Sequence, residues 1–94
     1  MLILTFFASF QQRVSSPVIL EGVVLEDATL KPVANAYVYA VKGEEEALTD
    51  KHGFFTIKTW QSLPVTLTVQ HQSRIKKVAV SAPAKKLQIV LNQK

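Results

Sequence analysis

The most prominent group of potentially reactive side chains in this 94-residue chain is an acidic cluster. It consists of residues 44–46 together with Asp50. Closely spaced carboxylates suggest calcium binding, but a calcium loop needs several regularly spaced oxygen ligands. On a strand, residues 44–46 alternate between opposite faces and cannot converge on one ion. We therefore interpret the cluster as the solvated tip of a hairpin and predict no metal site there.

The other candidates for catalysis are the two histidines and the scattered serines. His52 and His71 are far apart and lack a metal-ligand spacing. No serine lies in a nucleophile elbow, and a chain with three glycines has no glycine-rich phosphate loop. The absence of cysteine excludes disulfides, thiolate zinc sites and Fe–S clusters. The sequence predicts that the protein is not an enzyme and has no cofactor.

The net charge of +4 is unevenly distributed along the chain. Residues 51–94 contain lysine and arginine but no aspartate or glutamate. A basic half could attract phosphate, but no recognition helix or repeated lysine and aromatic platform accompanies it. The basic side chains fall near predicted turns or at alternating strand positions, so we expect a solvated surface and no nucleic-acid partner.

The elements that must position these residues are short strands. Aliphatic and β-branched residues predict strands over 18–27, 34–43, 47–50, 54–60, 65–71, 74–81 and 87–92. No segment after residue 16 has an amphipathic helical period. This spacing predicts an all-β fold, a Greek-key β-sandwich of about seven strands.

Strand alternation also predicts the core. We expect Asp50 to accept a hydrogen bond from the backbone N–H two residues on, and Gly53 to take a positive φ, in a tight turn. With Phe55 and Ile57 then facing inward, the predicted core consists of Ala36, Val38, Phe55, Ile57, Val65, Leu67, Val69, Leu87, Ile89 and Leu91.

Residues 1–16 differ from the rest of the chain. They contain an apolar run, Leu2–Phe10, which is too short for a membrane-spanning helix of about 20 residues. The run has the length of the apolar core of a signal peptide. A secretory or truncated secretory segment, an extra element of the fold and a membrane anchor remain alternatives, and residues 17–94 are predicted to form the domain.

Three segments in order carry a family resemblance: Gly-Val-Val-Leu-Glu-Asp at 22–27, Lys-Pro-Val-Ala-Asn-Ala-Tyr-Val at 31–38, and Leu-Thr-Asp-Lys-His-Gly-Phe-Phe-Thr-Ile at 48–57. Over about residues 18–91 the chain resembles the carboxypeptidase regulatory-like domain. The resemblance implies a transthyretin-like, Ig-like sandwich that serves as a non-catalytic accessory module. Asn35 stands where the family usually has glycine. The positions that match the family pattern are Gly22, Val24, Asp27, Pro32, Ala36, Val38, Thr49, Asp50, Gly53, Phe55 and Ile57.

The hydrophobic residues exceed what this core needs. Alternation sends four aromatic side chains outward, and it leaves the first strand apolar on both faces. The predicted interaction surface is Ile19, Val23, Leu25, Tyr37, Tyr39, Phe54 and Trp60. Three interpretations remain: the N-terminal segment covers it, another protein or protomer covers it, or the aromatics bind glycan or pack laterally across strands.

These observations predict a non-enzymatic accessory or scaffold module that makes protein–protein contacts in a bacterial cell envelope. The alternative is a carbohydrate-binding accessory module that uses the outward aromatics. We expect an exported protein, periplasmic or associated with the outer membrane, with no integral membrane span. Its expected partner is another protein or a second copy of the chain.

Overall fold

The computed structural model describes residues 13–92 of the chain. Within that range the chain folds into strands joined by turns. The strands are β1 (Arg13–Glu26), β2 (Tyr37–Val41), β3 (Glu45–Leu48), β4 (Phe54–Gln61), β5 (Val65–His71), β6 (Arg74–Val80) and β7 (Ala84–Leu91).

The seven strands form two sheets, one ordered β4-β1-β7 and the other β3-β2-β5-β6. Strand β1 lies at the centre of the three-stranded sheet, antiparallel to β4 and parallel to β7. A strand whose two faces are both apolar suits this central position. The predicted all-β, seven-stranded sandwich is confirmed.

Several strand boundaries differ from the prediction. Strand β1 begins at Arg13 rather than Val18, β3 at Glu45 rather than Ala47, and β7 at Ala84 rather than Leu87. The predicted second strand, 34–43, shortens to Tyr37–Val41 because residues 34–35 and 42–44 form turns. Residues 1–12 lie outside the described residues, so the interpretations of the N-terminal segment stay predictions.

The core lies between the inward faces of the two sheets. All predicted core side chains are buried except Leu87, which is half-buried and packs against the cluster. Leu20, Val24, Val33 and Val80 are buried as well, although the sequence analysis did not place them in the core. Leu20 and Val24 lie on the inward face of β1, which packs against the other sheet.

Candidate functional site

The acidic cluster is only in part the solvated hairpin tip that the sequence predicts, because Glu44 and Glu46 are exposed whereas Glu45 is buried. Residues 42–44 form the turn, and Glu45 begins β3 with its side chain directed inward, leaving it only 8% exposed. Oε1 accepts a hydrogen bond from the fully buried Thr59 hydroxyl at 2.6 Å, and Oε2 accepts one from the Trp60 backbone N–H at 2.9 Å. The carboxylate therefore ties the edge strand of one sheet to the edge strand of the other.

In the turn at Asp50, the carboxylate accepts hydrogen bonds from backbone N–H groups. Oδ1 accepts hydrogen bonds from the N–H groups of His52 at 2.8 Å and Phe54 at 3.0 Å, and Gly53 has φ +79°. These two donors, Phe54 first, hold the pKa of the Asp50 carboxyl below its ordinary value. Both expectations for this turn, the bond two residues on and the positive φ, are met.

The histidines are separate in the structure as well. The His52 ring lies in the turn, 5.9 Å from the Phe54 ring, whereas Nδ1 of His71 lies 3.1 Å from Nη2 of Arg74. Among residues 13–92, no group of three or more histidine, aspartate or glutamate side chains is placed to hold a metal ion.

The family-pattern positions form a connected frame. Thr49 is buried, and its hydroxyl donates to the Val33 carbonyl at 2.6 Å and accepts from the Ala36 N–H at 2.8 Å. Pro32 makes an isolated bridge with Leu25, and the exposed Asp27 donates its N–H to the Leu91 carbonyl at 3.1 Å.

The other positions of the family pattern are Gly22, where β1 and β7 approach closely, and several core side chains. At Gly22 an added Cβ would lie 2.6 Å from the Leu87 carbonyl oxygen, so only glycine allows β1 and β7 to approach there. The remaining positions are buried core side chains, namely Val24, Ala36, Val38, Phe55 and Ile57.

The predicted interaction surface divides into two surfaces on opposite sides of the sandwich. Five of its residues lie on the outer face of the three-stranded sheet, which we call the front face: Ile19, Val23, Leu25, Phe54 and Trp60. Phe54 and Ile19 are 56% and 38% exposed, while Val23 and Leu25 are half-buried. Tyr37 and Tyr39 lie on β2, on the outer face of the other sheet.

The two tyrosines pack laterally. Their rings are 5.0 Å apart with an interplanar angle of 45°. The Tyr37 hydroxyl donates to Glu46, which raises the pKa of Tyr37, and the Tyr39 hydroxyl accepts from the Gln70 side chain at 3.3 Å. Because their rings and hydroxyls are already engaged, these side chains are half-buried rather than free for stacking.

A groove of about 400 Å³ borders the front face. Its apolar lining includes Phe54, Phe55 and Leu87. Lys85 and Lys86 also line it, where the register between β1 and β7 shifts. This groove was not predicted from the sequence, although the lysine pair directly before the alternating residues 87–92 indicates a basic strand end.

The outer face of the four-stranded sheet carries a second row that the sequence analysis did not single out. Cross-strand pairing aligns Leu48, Tyr37, Gln70 and Ile75 across all four strands. Leu48 and Ile75, at the two ends of the row, are 63% and 61% exposed.

Comparison with known proteins gives the fold and no more. No protein-family model and no curated protein matches the sequence, so the resemblance to the carboxypeptidase regulatory-like domain stays a prediction. Two solved chains come from crystal structures of type II Cohesin-X-Dockerin complexes of Acetivibrio cellulolyticus, a C-terminal and an N-terminal interface mutant. They are 24% and 22% identical to this chain, each with a TM-score of 0.62.

Those matches cover 79% of this chain and 56% of each neighbour, so the chain spans little more than half their length. A 9R-lipoxygenase from Cyanothece PCC8801 is 14% identical with a TM-score of 0.50, covering 92% of this chain and 18% of the lipoxygenase. In residues 13–92, no helix is long and apolar enough to cross a membrane. Residues 13–92 form a seven-stranded β-sandwich similar in fold to these proteins.

Proposed function

We propose that this protein is a non-enzymatic β-sandwich module that makes protein–protein contacts through its front face. The observation that carries the proposal is the group of apolar side chains on the outer face of β1 and β4, which the Glu21–Thr56 pair divides into two parts. There Val23 lies directly opposite Phe54, and Ile19 lies opposite Lys58. Exposed apolar side chains that cluster on one face, as Val23 and Phe54 do, mark interaction sites, because water-exposed apolar area is unfavourable unless a partner covers it.

The fold similarity also supports a function in protein–protein contacts. The neighbours from Acetivibrio cellulolyticus belong to Cohesin-X-Dockerin complexes, which are assemblies of protein modules. The proposal includes membership of the carboxypeptidase regulatory-like family, supported by the three sequence segments whose residues form the frame around Thr49 and Gly53. It also includes an exported location in a bacterial cell envelope, supported by the apolar run Leu2–Phe10.

Site-specific photo-cross-linking tests the proposal. A photoreactive amino acid replaces Phe54 on the front face, and a control chain carries it at Thr66, an exposed position on the opposite sheet. Both chains are irradiated in cells that naturally produce the protein. We expect a discrete protein adduct from position 54 and none from position 66. Equal adducts from both positions, or no adduct from either, would overturn the proposal.

The carbohydrate-binding alternative rests on Trp60 and Phe54, which share the front face and are 36% and 56% exposed. Aromatic side chains bind sugars by stacking against their apolar faces. Trp60 is the single tryptophan, so its fluorescence reports ligand binding at this face directly. Saturable changes with cell-wall polysaccharides, absent in a Phe54→Ser variant, would favour the alternative over protein contacts.

A further inference from the structure

The four edge strands of the sandwich differ in how they are protected against pairing with another chain. Natural sheets protect edges with inward-pointing charges, short strands or covering groups. Strand β3 has only four residues and directs Glu45 inward. Strand β6 directs Lys76 to the core side, since it pairs directly with the buried Val69.

Edge strand β4 is protected by side chains from neighbouring segments. The Trp60 N–H donates to Glu45, and the Phe54 N–H donates to Asp50. These two carboxylates occupy the outward backbone donors at the two ends of β4, which leaves an added strand only those of Thr56 and Lys58 between them.

Edge strand β7 is protected only at its ends, by Lys85 and Lys86 at its start and by Arg74, whose Nη1 lies 3.5 Å from the Asn92 carbonyl oxygen after its last residue. Its inward side chains, Leu87, Ile89 and Leu91, are all apolar. The Asp27 N–H bonds to the Leu91 carbonyl, which fixes the side of β7 that faces β1. Because backbone groups alternate along a strand, the N–H and C=O groups of Gln88 and Val90 point away from β1. Within residues 13–92 no group pairs with them.

The groove beside this edge is lined by two lysines, one carboxylate, Glu21, and several apolar side chains. Lys85 and Lys86 are exposed at the start of β7 and line the groove of about 400 Å³, beside the half-buried Leu87. Residues 51–92 contain no acidic side chain. A second β7 strand would bring like charges together at this edge, which disfavours pairing between copies. An acidic segment would be attracted, because the two lysines outnumber Glu21 at the groove.

We propose that the free edge of β7 binds an extended, acidic polypeptide segment of a partner protein, which adds as a further strand to the three-stranded sheet. Main-chain hydrogen bonds to Gln88 and Val90 give affinity, and alternate side chains give specificity. An apolar side chain of the partner enters the groove beside Leu87, and its carboxylates face Lys85 and Lys86. This inference rests on the proposed protein-contact function and specifies the chemistry of its partner.

Fluorescence anisotropy with synthetic peptides tests strand addition. The probe is a fluorescein-labelled peptide as long as β7 that alternates valine and glutamate. A second peptide has the same sequence but carries N-methyl groups on the residues of one edge, which removes the donors for main-chain pairing. The full chain should bind the first peptide and not the second. Equal binding of both peptides, or binding of neither, overturns the proposal.

Variants of the protein test the same site from the other side. Reversing both lysines, K85E with K86E, should weaken binding by about tenfold at low salt, because the flanking carboxylates then meet like charges. The matched control, K42E with K51E, makes the same change in net charge on two connecting turns and should retain affinity. Equal weakening in the two pairs overturns the proposed location.

The variant Gln88→Pro removes one outward N–H without touching the bonds between β7 and β1, because proline is tolerated on edge strands whose N–H faces solvent. It should abolish peptide binding with an unchanged circular dichroism spectrum; if it binds the peptide normally, the proposal fails. If it does not fold, the N-methylated peptide decides the matter. A front-face cross-link at position 54 that persists without peptide binding overturns strand addition alone and leaves the proposed function standing.

Discussion

Glu26 and Arg74 join the two sheets through a paired contact. Nη1 of Arg74 donates to Oε1 of Glu26 at 2.7 Å, and Nη2 donates to Oε2 at 3.2 Å. Glu26 ends β1 in one sheet, while Arg74 begins β6 in the other. This two-point geometry is the preferred arrangement of guanidinium and carboxylate groups. It lowers the pKa of Glu26 from its ordinary value of 4.5, chiefly through the hydrogen bond from Arg74.

The first prediction concerns the pH dependence of stability. A carboxyl group whose pKa is lower in the folded state binds its proton more weakly there than in the unfolded chain. Its contribution to stability is therefore complete above the ordinary pKa of 4.5 and is lost as the pH falls through the lower folded value. We expect Glu26→Gln to destabilise the protein at neutral pH and to differ little from the natural chain in acid.

Urea unfolding between about pH 6 and pH 3 measures this difference. Glu21→Gln removes a carboxylate from the same strand without touching Arg74 and serves as the control. The natural chain and Glu26→Gln should both still lose stability in acid, because the pKa of Asp50 is also lowered. A gap between the natural chain and Glu26→Gln that stays constant with pH would contradict the prediction.

The second prediction concerns the buried carboxylate of Glu45. Glu45→Ala leaves the Thr59 hydroxyl and the Trp60 N–H without their acceptor, and an unsatisfied buried donor costs about 1–3 kcal/mol. We expect a loss of that size in the free energy of urea unfolding. The control is Glu44→Ala, which changes an exposed turn residue and should alter stability by about 0.5 kcal/mol or less. Similar losses in both variants would argue against the bond between the two edges.

Glu45 also shows why part of the structure could not be predicted from sequence. Strand alternation assigns faces only once the first residue of a strand is known. In a run of three glutamates, no apolar residue marks that start. The turn at residues 42–44 sets it, with Gly43 at φ +83°. Strands with clear alternation, such as Val65–His71, were predicted with correct bounds and a correct inward face.

For the predicted interaction surface, the sequence indicates which side chains point away from the core, but not which of the two sheets each strand joins. Alternation correctly directs Phe54 and Tyr37 away from the core, but it does not reveal that β4 and β2 belong to different sheets. That assignment depends on long-range pairing. The groove beside Lys85 and Lys86 lies at the register shift between β1 and β7. A register shift of this kind cannot be recognised in a single sequence. Asn35, which stands where the resembling family usually has glycine, has φ +61°, a conformation that asparagine tolerates better than other side chains with a Cβ.

The third prediction is a stabilising substitution at Leu30. This residue is 59% exposed and has φ 58°, a left-handed conformation that costs a leucine about 1–2 kcal/mol. Leu30→Asn relieves part of that cost and loses little buried apolar area, so we expect a gain of about 0.5–1 kcal/mol. Its matched control is Leu48→Asn, which removes an equally exposed leucine from an extended strand and should give no gain. Thermal unfolding of the two variants under identical conditions measures the difference.

The fourth prediction compares two glycines that share a conformation and differ in their surroundings. Gly43 and Gly53 have φ values of +83° and +79°. A Cβ at Gly43 would meet nothing within 4 Å, whereas at Gly53 it would lie 2.7 Å from the Val24 carbonyl oxygen and 3.1 Å from Pro32. Gly43→Ala should therefore cost only the conformational penalty, about 1–2 kcal/mol.

Gly53→Ala adds a steric conflict with backbone to the same penalty. The Gly53 carbonyl also accepts the Val24 N–H at 2.9 Å, so a displaced turn would break a bond to β1. We expect a loss of about 3 kcal/mol or more, measured by urea unfolding with Trp60 fluorescence as the probe. Equal losses at the two positions would show that the turn moves freely away from β1. A larger loss at Gly53 means that the turn is fixed against β1, and with it the position of Phe54 on the front face.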